Sequence, residues 1–165
     1  MARPWVEKAK ARYPVLLDRR NVVGKRYDVK YVPVGIIVDE AGRLVKPVSS
    51  VNIGDETFRK ELEAWATSGV LPASWADGSG RADPRTPDEE EADARFQLAI
   101  VLLEQGKREA AAAELKQAFA LDPQNWIIRK QLWAIEHPEA FYDGPVDYTW
   151  QRRQQEQEDR ELSDR

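Results

Sequence analysis

The side chains that most often carry out catalysis are scarce in this chain of 165 residues. It contains no cysteine and a single histidine, His137, which stands directly before Pro138. The absence of cysteine excludes disulfides, thiolate metal sites, a cysteine nucleophile and a dithiol redox centre built by this chain alone. Because His137 falls at a predicted helix end, we interpret it as a partner of the last helical carbonyl groups rather than as a base or a metal ligand.

Asp39 and Glu40 are adjacent acidic residues that in principle offer a carboxylate pair. They lie in a predicted hairpin turn, where acidic side chains are usually solvated and support the reversal of the chain. The sequence also contains no nucleophile elbow, phosphate-binding loop or H-E-x-x-H motif. We therefore predict no catalytic residue, no cofactor and no metal site.

Composition indicates a globular protein with room for one compact domain or two small modules. The longest apolar runs, residues 36–38 and 98–103, are far shorter than the roughly 20 residues that a membrane helix needs. The N-terminal stretch MARPWVEKAK lacks the apolar core of a secretory signal. We therefore expect a cytoplasmic protein that does not bind membranes.

Charge divides unevenly along the chain. Residues 1–70 carry 13 basic and 9 acidic side chains, which gives a net charge of +4. Residues 71–165 carry 12 basic and 20 acidic side chains, which gives a net charge of -8. This asymmetry supports a domain boundary and suggests electrostatic attraction between the halves. The basic half is too weakly charged to indicate a nucleic-acid partner, and we expect none.

The N-terminal part predicts a helix, a strand and a second helix in that order. Pro4 suits a first helical turn, and apolar residues up to Tyr13 give this helix an apolar stripe. The stretch YPVLLD, residues 13–18, predicts a short buried strand. The helical spacing of Val22 and Tyr27 then predicts one or two helical turns.

A hairpin and a third helix follow. The stretch YVPVGIIVDEAGRLV, residues 31–45, predicts two strands joined by a tight turn at DEAG. Its Pro33 has no backbone N–H for a sheet, which by itself suggests an edge-strand position. Residues 58–66 predict an amphipathic helix whose N-cap is Asp55.

The C-terminal part predicts a linker and three helices. Residues 71–87 are rich in Pro, Gly, Ser and Asp, as linkers are. Thr86 and Glu89 form a capping box that opens a helix ending near Gly106, and a second helix spans residues 107–121. A third helix, beginning at Trp126, stops at His137 and Pro138. The predicted divisions are residues 1–70, 71–87, 88–142 and 143–165, the last being a polar tail that is frayed helix or disordered.

The first two of these C-terminal helices resemble one tetratricopeptide repeat. The family spacing is carried by Leu98, Ala99, Leu102, Gly106, Ala111, Leu115, Ala118 and Pro123. Arg95 and Leu102 stand where the family favours aromatic residues. The alternative is a generic helical hairpin with alanines at the contact. A single repeat cannot bury its apolar face alone, so the third helix is expected to cap it.

The N-terminal part resembles the second half of a thioredoxin-like domain of the TlpA/ResA and peroxiredoxin-related kind. The pieces YPVLLD, VVGKRYDV, YVPVGIIVDEAGRLV and the helix around residues 58–66 stand in the family's order. The resemblance implies a cis Val32–Pro33 bond, with the backbone of Val32 binding a substrate peptide. The predicted fold class is therefore mixed α/β (α+β): a partial thioredoxin-like fold with a β-hairpin, followed by an all-α tetratricopeptide-like module.

The redox cysteines of that family are missing, and the strands that should precede this part of the fold are missing with them. The remaining hairpin is expected to leave an unpaired edge and apolar faces in water. The covering surface is expected to be the helical module of the same chain, a second copy of the chain or a separate polypeptide that supplies the missing strands. We therefore predict a non-catalytic interaction protein that forms a homodimer or binds another polypeptide. The alternative is the C-terminal part of a thiol-disulfide oxidoreductase or peroxiredoxin-like protein whose cysteine or selenocysteine motif lies upstream or on a partner.

Tryptophan is abundant, with six residues in the chain. Most are expected to be core or interface anchors. Trp126 and Trp133 are one heptad apart on one helix face, and an exposed Trp75 or Trp150 would indicate a partner surface. These four tryptophans are the candidate partner-contacting residues.

Overall fold

Residues 3–10, 12–76 and 84–164 are described by a computed structural model of the chain. They form a mixed α and β structure that divides into two compact units. Unit 1 is Met1–Arg85 and unit 2 is Thr86–Arg165.

Unit 1 consists of short helices around a β-hairpin. Its elements are α1 (Arg3–Lys8), α2 (Val22–Arg26), β1 (Gly35–Val38), β2 (Leu44–Ser49), α3 (Glu56–Ser68) and α4 (Ala73–Ala76). The predicted order of helix, hairpin and helix is confirmed for α2, β1, β2 and α3.

The strands β1 and β2 pair antiparallel, with Gly35 opposite Ser49 and Val38 opposite Leu44. Within the described residues no further strand joins them. Gly35 lies so close to Val51 that a Cβ atom at this position would come within 2.5 Å of the Val51 side chain. A residue without a side chain is therefore required where β1 begins.

The turn between the strands is organised by Asp39. Its Oδ1 accepts hydrogen bonds from the backbone N–H groups of Ala41, at 3.0 Å, and Arg43, at 2.8 Å. Its Oδ2 accepts a third, from Nε of Arg43, at 2.7 Å. Gly42 completes the reversal in the left-handed region, with φ of 75°.

Helix α2 is held at its N-terminus by Asp18, which lies four residues before it. Asp18 Oδ1 accepts from the backbone N–H of Val22 at 2.7 Å, and Oδ2 accepts from those of Val23 at 2.9 Å and Gly24 at 3.2 Å. The N-cap residue itself, Asn21, has a left-handed backbone and no capping side-chain bond. The carboxylate of Asp18 thus satisfies donors that a helix start leaves open.

The segment before α2 contradicts the sequence prediction. Residues 13–18 form no strand, and their large apolar side chains are exposed, Leu16 to 90%. A strand needs a neighbour for its backbone groups, and no described strand lies beside this one. Helix α1 is also shorter than expected, because it ends at Lys8 and leaves Tyr13 outside it.

Helix α3 begins at the N-cap that its sequence predicts. Asp55 caps it, accepting a hydrogen bond from the backbone N–H of Phe58 at 2.8 Å. It ends at Gly69, which has φ of 71°. The predicted linker that follows contains the short helix α4, so part of it is ordered against α3 through Trp75. Its residues 77–83 lie outside the described part of the chain.

Unit 2 is helical throughout its described elements. These are α5 (Pro87–Glu104), α6 (Arg108–Leu121), α7 (Trp126–Glu136), α8 (Glu139–Tyr142) and α9 (Tyr148–Ser163). The capping box is confirmed: Thr86 Oγ1 accepts from the backbone N–H of Glu89 at 3.2 Å, and Glu89 Oε2 accepts from that of Thr86 at 2.8 Å. The short loop through Gly106, φ 74°, turns α6 back along α5.

The core of unit 2 lies between α5, α6 and α7. Small residues at the α5–α6 contact allow the two helices to approach closely. The buried set is Ala92, Phe96, Ala99, Ala111, Leu115, Ala118, Ile128, Leu132 and Ile135. Arg95, at a position where an aromatic residue was expected, instead joins the helices through Nη1, which donates to Glu114 at 3.0 Å.

The polar tail also differs from its prediction. Residues 148–163 form a continuous helix, α9, rather than frayed or disordered chain. Asp147 caps it, accepting from the backbone N–H groups of Thr149 at 3.0 Å and Trp150 at 2.9 Å. The sequence pattern could not reveal this helix, because it is held by contacts with α7 rather than by an apolar stripe of its own.

Candidate interaction surfaces

Twelve large apolar side chains in the described part of unit 1 are exposed to water. Among its described residues, Trp75 is the one hydrophobic side chain that is fully buried. The exposed large apolar residues are Tyr13, Val15, Leu16, Leu17, Val22, Val23, Tyr31, Val32, Val38, Ile53, Val70 and Leu71. Exposed apolar side chains in such number often mark a surface that another molecule covers.

The densest part of this surface is residues 13–17, which we call the apolar segment. Leu16 is 90% exposed and Tyr13 is 71% exposed. Exposed basic residues flank it, with Arg12 before it and Arg19 and Arg20 after it. Asp18, at its C-terminal end, is fixed by its bonds to α2, so the apolar segment is anchored on that side.

The Val32–Pro33 corner lies just before β1. The peptide bond between these two residues is cis, as the resemblance implies. Both residues are exposed, Val32 to 68%. Pro33 stands two residues before β1 begins, so it does not occupy a strand position as an edge-strand proline would.

The four candidate tryptophans do not form an exposed partner surface. Trp75 is only 3% exposed: its indole packs against Trp65, with ring centres 5.7 Å apart, and its Nε1 donates to Glu61 at 3.1 Å. Trp133 is only 1% exposed. Trp126 and Trp150 are half-buried. Their size and flat shape serve intramolecular packing here.

In unit 2 the tryptophans of α7 and α9 pack edge to face. The ring centre of Trp133 lies 6.1 Å from that of Trp126, at an interplanar angle of 84°, and 5.7 Å from that of Trp150, at 86°. Trp150 also lies 4.9 Å from the ring of His137 and 6.1 Å from that of Phe141. This geometry suits the quadrupoles of aromatic rings.

A buried cation that sequence reasoning missed lies beside this cluster. The Arg129 side chain is 4% exposed and forms ion pairs with two acidic residues of α9. Its Nη2 donates to Asp159 Oδ1 at 2.9 Å, and its Nε lies 3.4 Å from Glu158 Oε2. Glu158 Oε1 also accepts from Nε1 of Trp133 at 2.6 Å. The spacing of Trp126, Arg129 and Trp133 indicates that the three side chains share one face of α7. The sequence could not show that this face binds acidic residues, because those residues lie about 30 positions further along the chain.

The side chains weighed for catalysis have structural roles. The backbone N–H of His137 donates to the carbonyl of Trp133 at 2.7 Å, and its ring lies 3.3 Å from Glu139. Asp39 is a turn former, and hydrogen bonds from the backbone and side chain of Arg43 hold its pKa below the ordinary value of 3.8. In the described ranges, no group of three or more His, Cys, Asp or Glu side chains could hold a metal ion.

None of the described helices is both long enough and apolar enough to cross a membrane. Comparison with protein-family models, with curated proteins and with solved structures finds no match to this chain.

Proposed function

We propose that this chain is a non-catalytic protein–protein interaction protein whose unit 1 is completed by the surface of another polypeptide. The observation that carries the proposal is the exposure of large apolar side chains in unit 1, where Trp75 alone among the described hydrophobic residues is fully buried. The apolar segment and the free edge of the β-hairpin are the surfaces that the partner would cover.

Energetics support this proposal. Burying one Leu or Val side chain contributes about 1.5–3 kcal/mol, and a small domain depends on many such contributions to offset the entropy of ordering its chain. Unit 1 obtains few of them from its own described residues. An interface over the apolar segment would supply several at once.

The architecture that we propose is a truncated thioredoxin-like module in unit 1 and a tetratricopeptide-like hairpin in unit 2. Support for the first is the order of α2, Pro33, β1, the DEAG turn, β2 and α3. Support for the second is the pair α5 and α6, with alanines buried at their contact and Gly106 in their loop.

The occupant that we propose for the unit 1 surface is a second copy of the chain. Because an isologous dimer places the same patch on both sides, two apolar segments or two hairpin edges can cover each other. Size-exclusion chromatography with light scattering should give a mass of about twice 18.9 kDa. A stable, fully folded monomer at micromolar concentration would refute the dimer.

Leu16→Arg tests the surface itself. This residue is 90% exposed, so the substitution breaks no contact within the chain, yet it places a charge in the proposed interface. The dimer should dissociate. Tyr142→Arg is the matched control, since it adds the same side chain at a 69% exposed apolar position in unit 2. Loss of the dimer in both variants, or in neither, would contradict the assignment of the interface to unit 1.

A second candidate is a part of a thiol-disulfide oxidoreductase whose cysteine or selenocysteine motif is supplied upstream or by a partner. The Val32–Pro33 corner before β1 favours it, because the resemblance gives that corner a peptide-binding role. Without cysteine, the purified chain should not reduce a disulfide substrate. A cysteine or selenocysteine motif in the upstream reading frame would favour this candidate, and in-frame ordinary stop codons there would leave a partner as the source of the motif.

A further inference from the structure

Helix α9 is attached to the rest of unit 2 by few side chains. Gln151 is its only described residue that is fully buried. Its described contacts with α7 are made by the ring of Trp150 and by the carboxylates of Glu158 and Asp159. A helix that buries so little apolar surface gains little free energy from docking, so it belongs to the parts of a fold that open most easily.

The surface beneath α9 has a definite chemistry. The guanidinium carbon of Arg129 lies 4.9 Å from the ring centres of both Phe119 and Trp126, so the cation is held against two aromatic rings. Beside it, the indole Nε1 of Trp133 points its proton at a carboxylate oxygen. We call Arg129, Trp133 and these two aromatic residues the carboxylate pocket. Its donors match two adjacent acidic side chains on a helix.

Helix α9 fills this pocket incompletely. Nε of Arg129 and Oε2 of Glu158 are both buried, and neither forms a hydrogen bond with another described protein atom. They lie 3.4 Å apart as an ion pair, without the alignment of a hydrogen bond. A buried donor without a partner costs free energy, so a ligand that aligns its carboxylate with this N–H has an advantage over α9.

We propose that the carboxylate pocket is a binding site for an acidic helical segment of a partner protein, one that carries an adjacent Glu–Asp pair and displaces α9. Charge complementarity identifies the ligand, because the buried Arg129 already binds such a pair in Glu158 and Asp159. The inference concerns unit 2 alone and does not depend on the function proposed for unit 1.

Helix α9 then acts as a competitor within the chain. Only residues 143–147 join it to α8. Such a short tether gives α9, as a ligand within the same chain, an effective concentration of about millimolar or more at the pocket. A partner segment must therefore bind better than α9, or α9 must first be weakened. Substituting the acidic pair of α9 weakens the competitor, because it removes both charges that pair with Arg129, while every side chain of the pocket stays in place.

The test uses a fluorescent peptide with the sequence of residues 148–164, titrated into the full-length chain at low salt. The chain that carries both Glu158→Gln and Asp159→Asn should bind this peptide about tenfold or more tightly than the unsubstituted chain, because its α9 competes less well for the pocket. A second peptide, with Gln and Asn in place of Glu158 and Asp159, should bind this variant chain at least about tenfold more weakly than the first peptide does. Added salt should weaken the binding of the first peptide.

Two further substitutions, each made in the Glu158→Gln and Asp159→Asn background, locate the site. Arg129→Gln should abolish peptide binding. Lys130→Gln, which removes the same charge from the next position of α7, should preserve it. The proposal is overturned if the folded double variant binds neither peptide, if it binds both equally, or if the two α7 substitutions act alike. Since Leu16→Arg should leave peptide binding unchanged, failure here is distinguishable from failure of the proposed dimer.

Discussion

The indole Nε1 of Trp133 donates a 2.6 Å hydrogen bond to Oε1 of Glu158, which lies 25 residues further along the chain. Trp133 is one of the most deeply buried side chains of unit 2, whereas Glu158 belongs to a helix that is mostly exposed. This bond therefore joins the core of unit 2 to the mostly exposed helix α9. It explains why a segment with almost no apolar residues remains a docked helix.

Trp133→Phe should destabilise unit 2 by about 2 kcal/mol, because a hydrogen bond to a charged group contributes about 1.5–3 kcal/mol. The measurement is urea unfolding followed by far-ultraviolet circular dichroism. A double-mutant cycle with Glu158→Met, which removes the acceptor oxygen, should give a coupling energy of at least about 1 kcal/mol. Trp126→Phe is the control, and additivity of Trp133→Phe and Glu158→Met would contradict the role of this bond.

Asp39 should titrate below its ordinary pKa of 3.8 in the folded chain. A depressed folded-state pKa means that ionised Asp39 stabilises the hairpin above the ordinary pKa, and that this stabilisation is lost as pH falls through the folded value. Carboxyl carbon NMR over about pH 2–6 measures the titration directly. Asp39→Asn should make the hairpin's stability less dependent on pH in this range.

Arg43→Gln separates the causes of that shift. The backbone N–H of Arg43 is the largest cause and is retained in this variant, whereas the side-chain hydrogen bond and the charge are removed. The pKa of Asp39 should therefore rise but stay below 3.8. A value that does not move would show that the guanidinium has no part in the shift.

Trp75→Ala should unfold unit 1 or cost about 3–5 kcal/mol, the range for removing a buried aromatic side chain. Trp75 packs on Phe58 and Trp65 and donates a hydrogen bond to Glu61, and it is the one fully buried hydrophobic residue among those described in unit 1. Thermal unfolding followed by circular dichroism measures the loss. Leu71→Ala, at a 48% exposed position nearby, should cost far less.

Thr86→Ala should destabilise unit 2 by about 1 kcal/mol, since it removes half of the capping box of α5. Urea unfolding of the full chain provides the measurement. Thr57→Ala makes the same substitution in the first turn of α3 at an exposed position that is not the N-cap, so it should change stability by less than about 0.5 kcal/mol. Equal losses in both variants would argue against the cap.

Sequence reasoning succeeded where the determining signals are local. The capping box at Thr86, the glycine at 106 and the N-cap at Asp55 fix helix ends through bonds that span a few residues, and all three are found. The DEAG turn is a similar case, because Asp39 binds the backbone only two and four residues away. Such bonds can be foreseen from spacing alone.

It failed where an element depends on distant partners. The apolar segment has the composition of a buried strand, but a strand forms only beside a neighbour, and the described chain provides none. Helix α9 is the opposite case: its composition is that of disordered chain, yet Arg129 and Trp133 hold it from 25 to 30 residues away. The carboxylate pocket was missed for the same reason.

The edge-to-face packing of Trp133 with Trp126 and Trp150 also has an optical consequence. Aromatic rings fixed in an asymmetric environment give near-ultraviolet circular dichroism, which is lost when tertiary packing is lost. Because Trp150 belongs to α9 and the other two belong to α7, departure of α9 breaks up this trio of chromophores. Trp65 and Trp75 lie in unit 1 and supply a separate signal. The position of α9 can thus be followed in the unlabelled chain from its own absorbing groups.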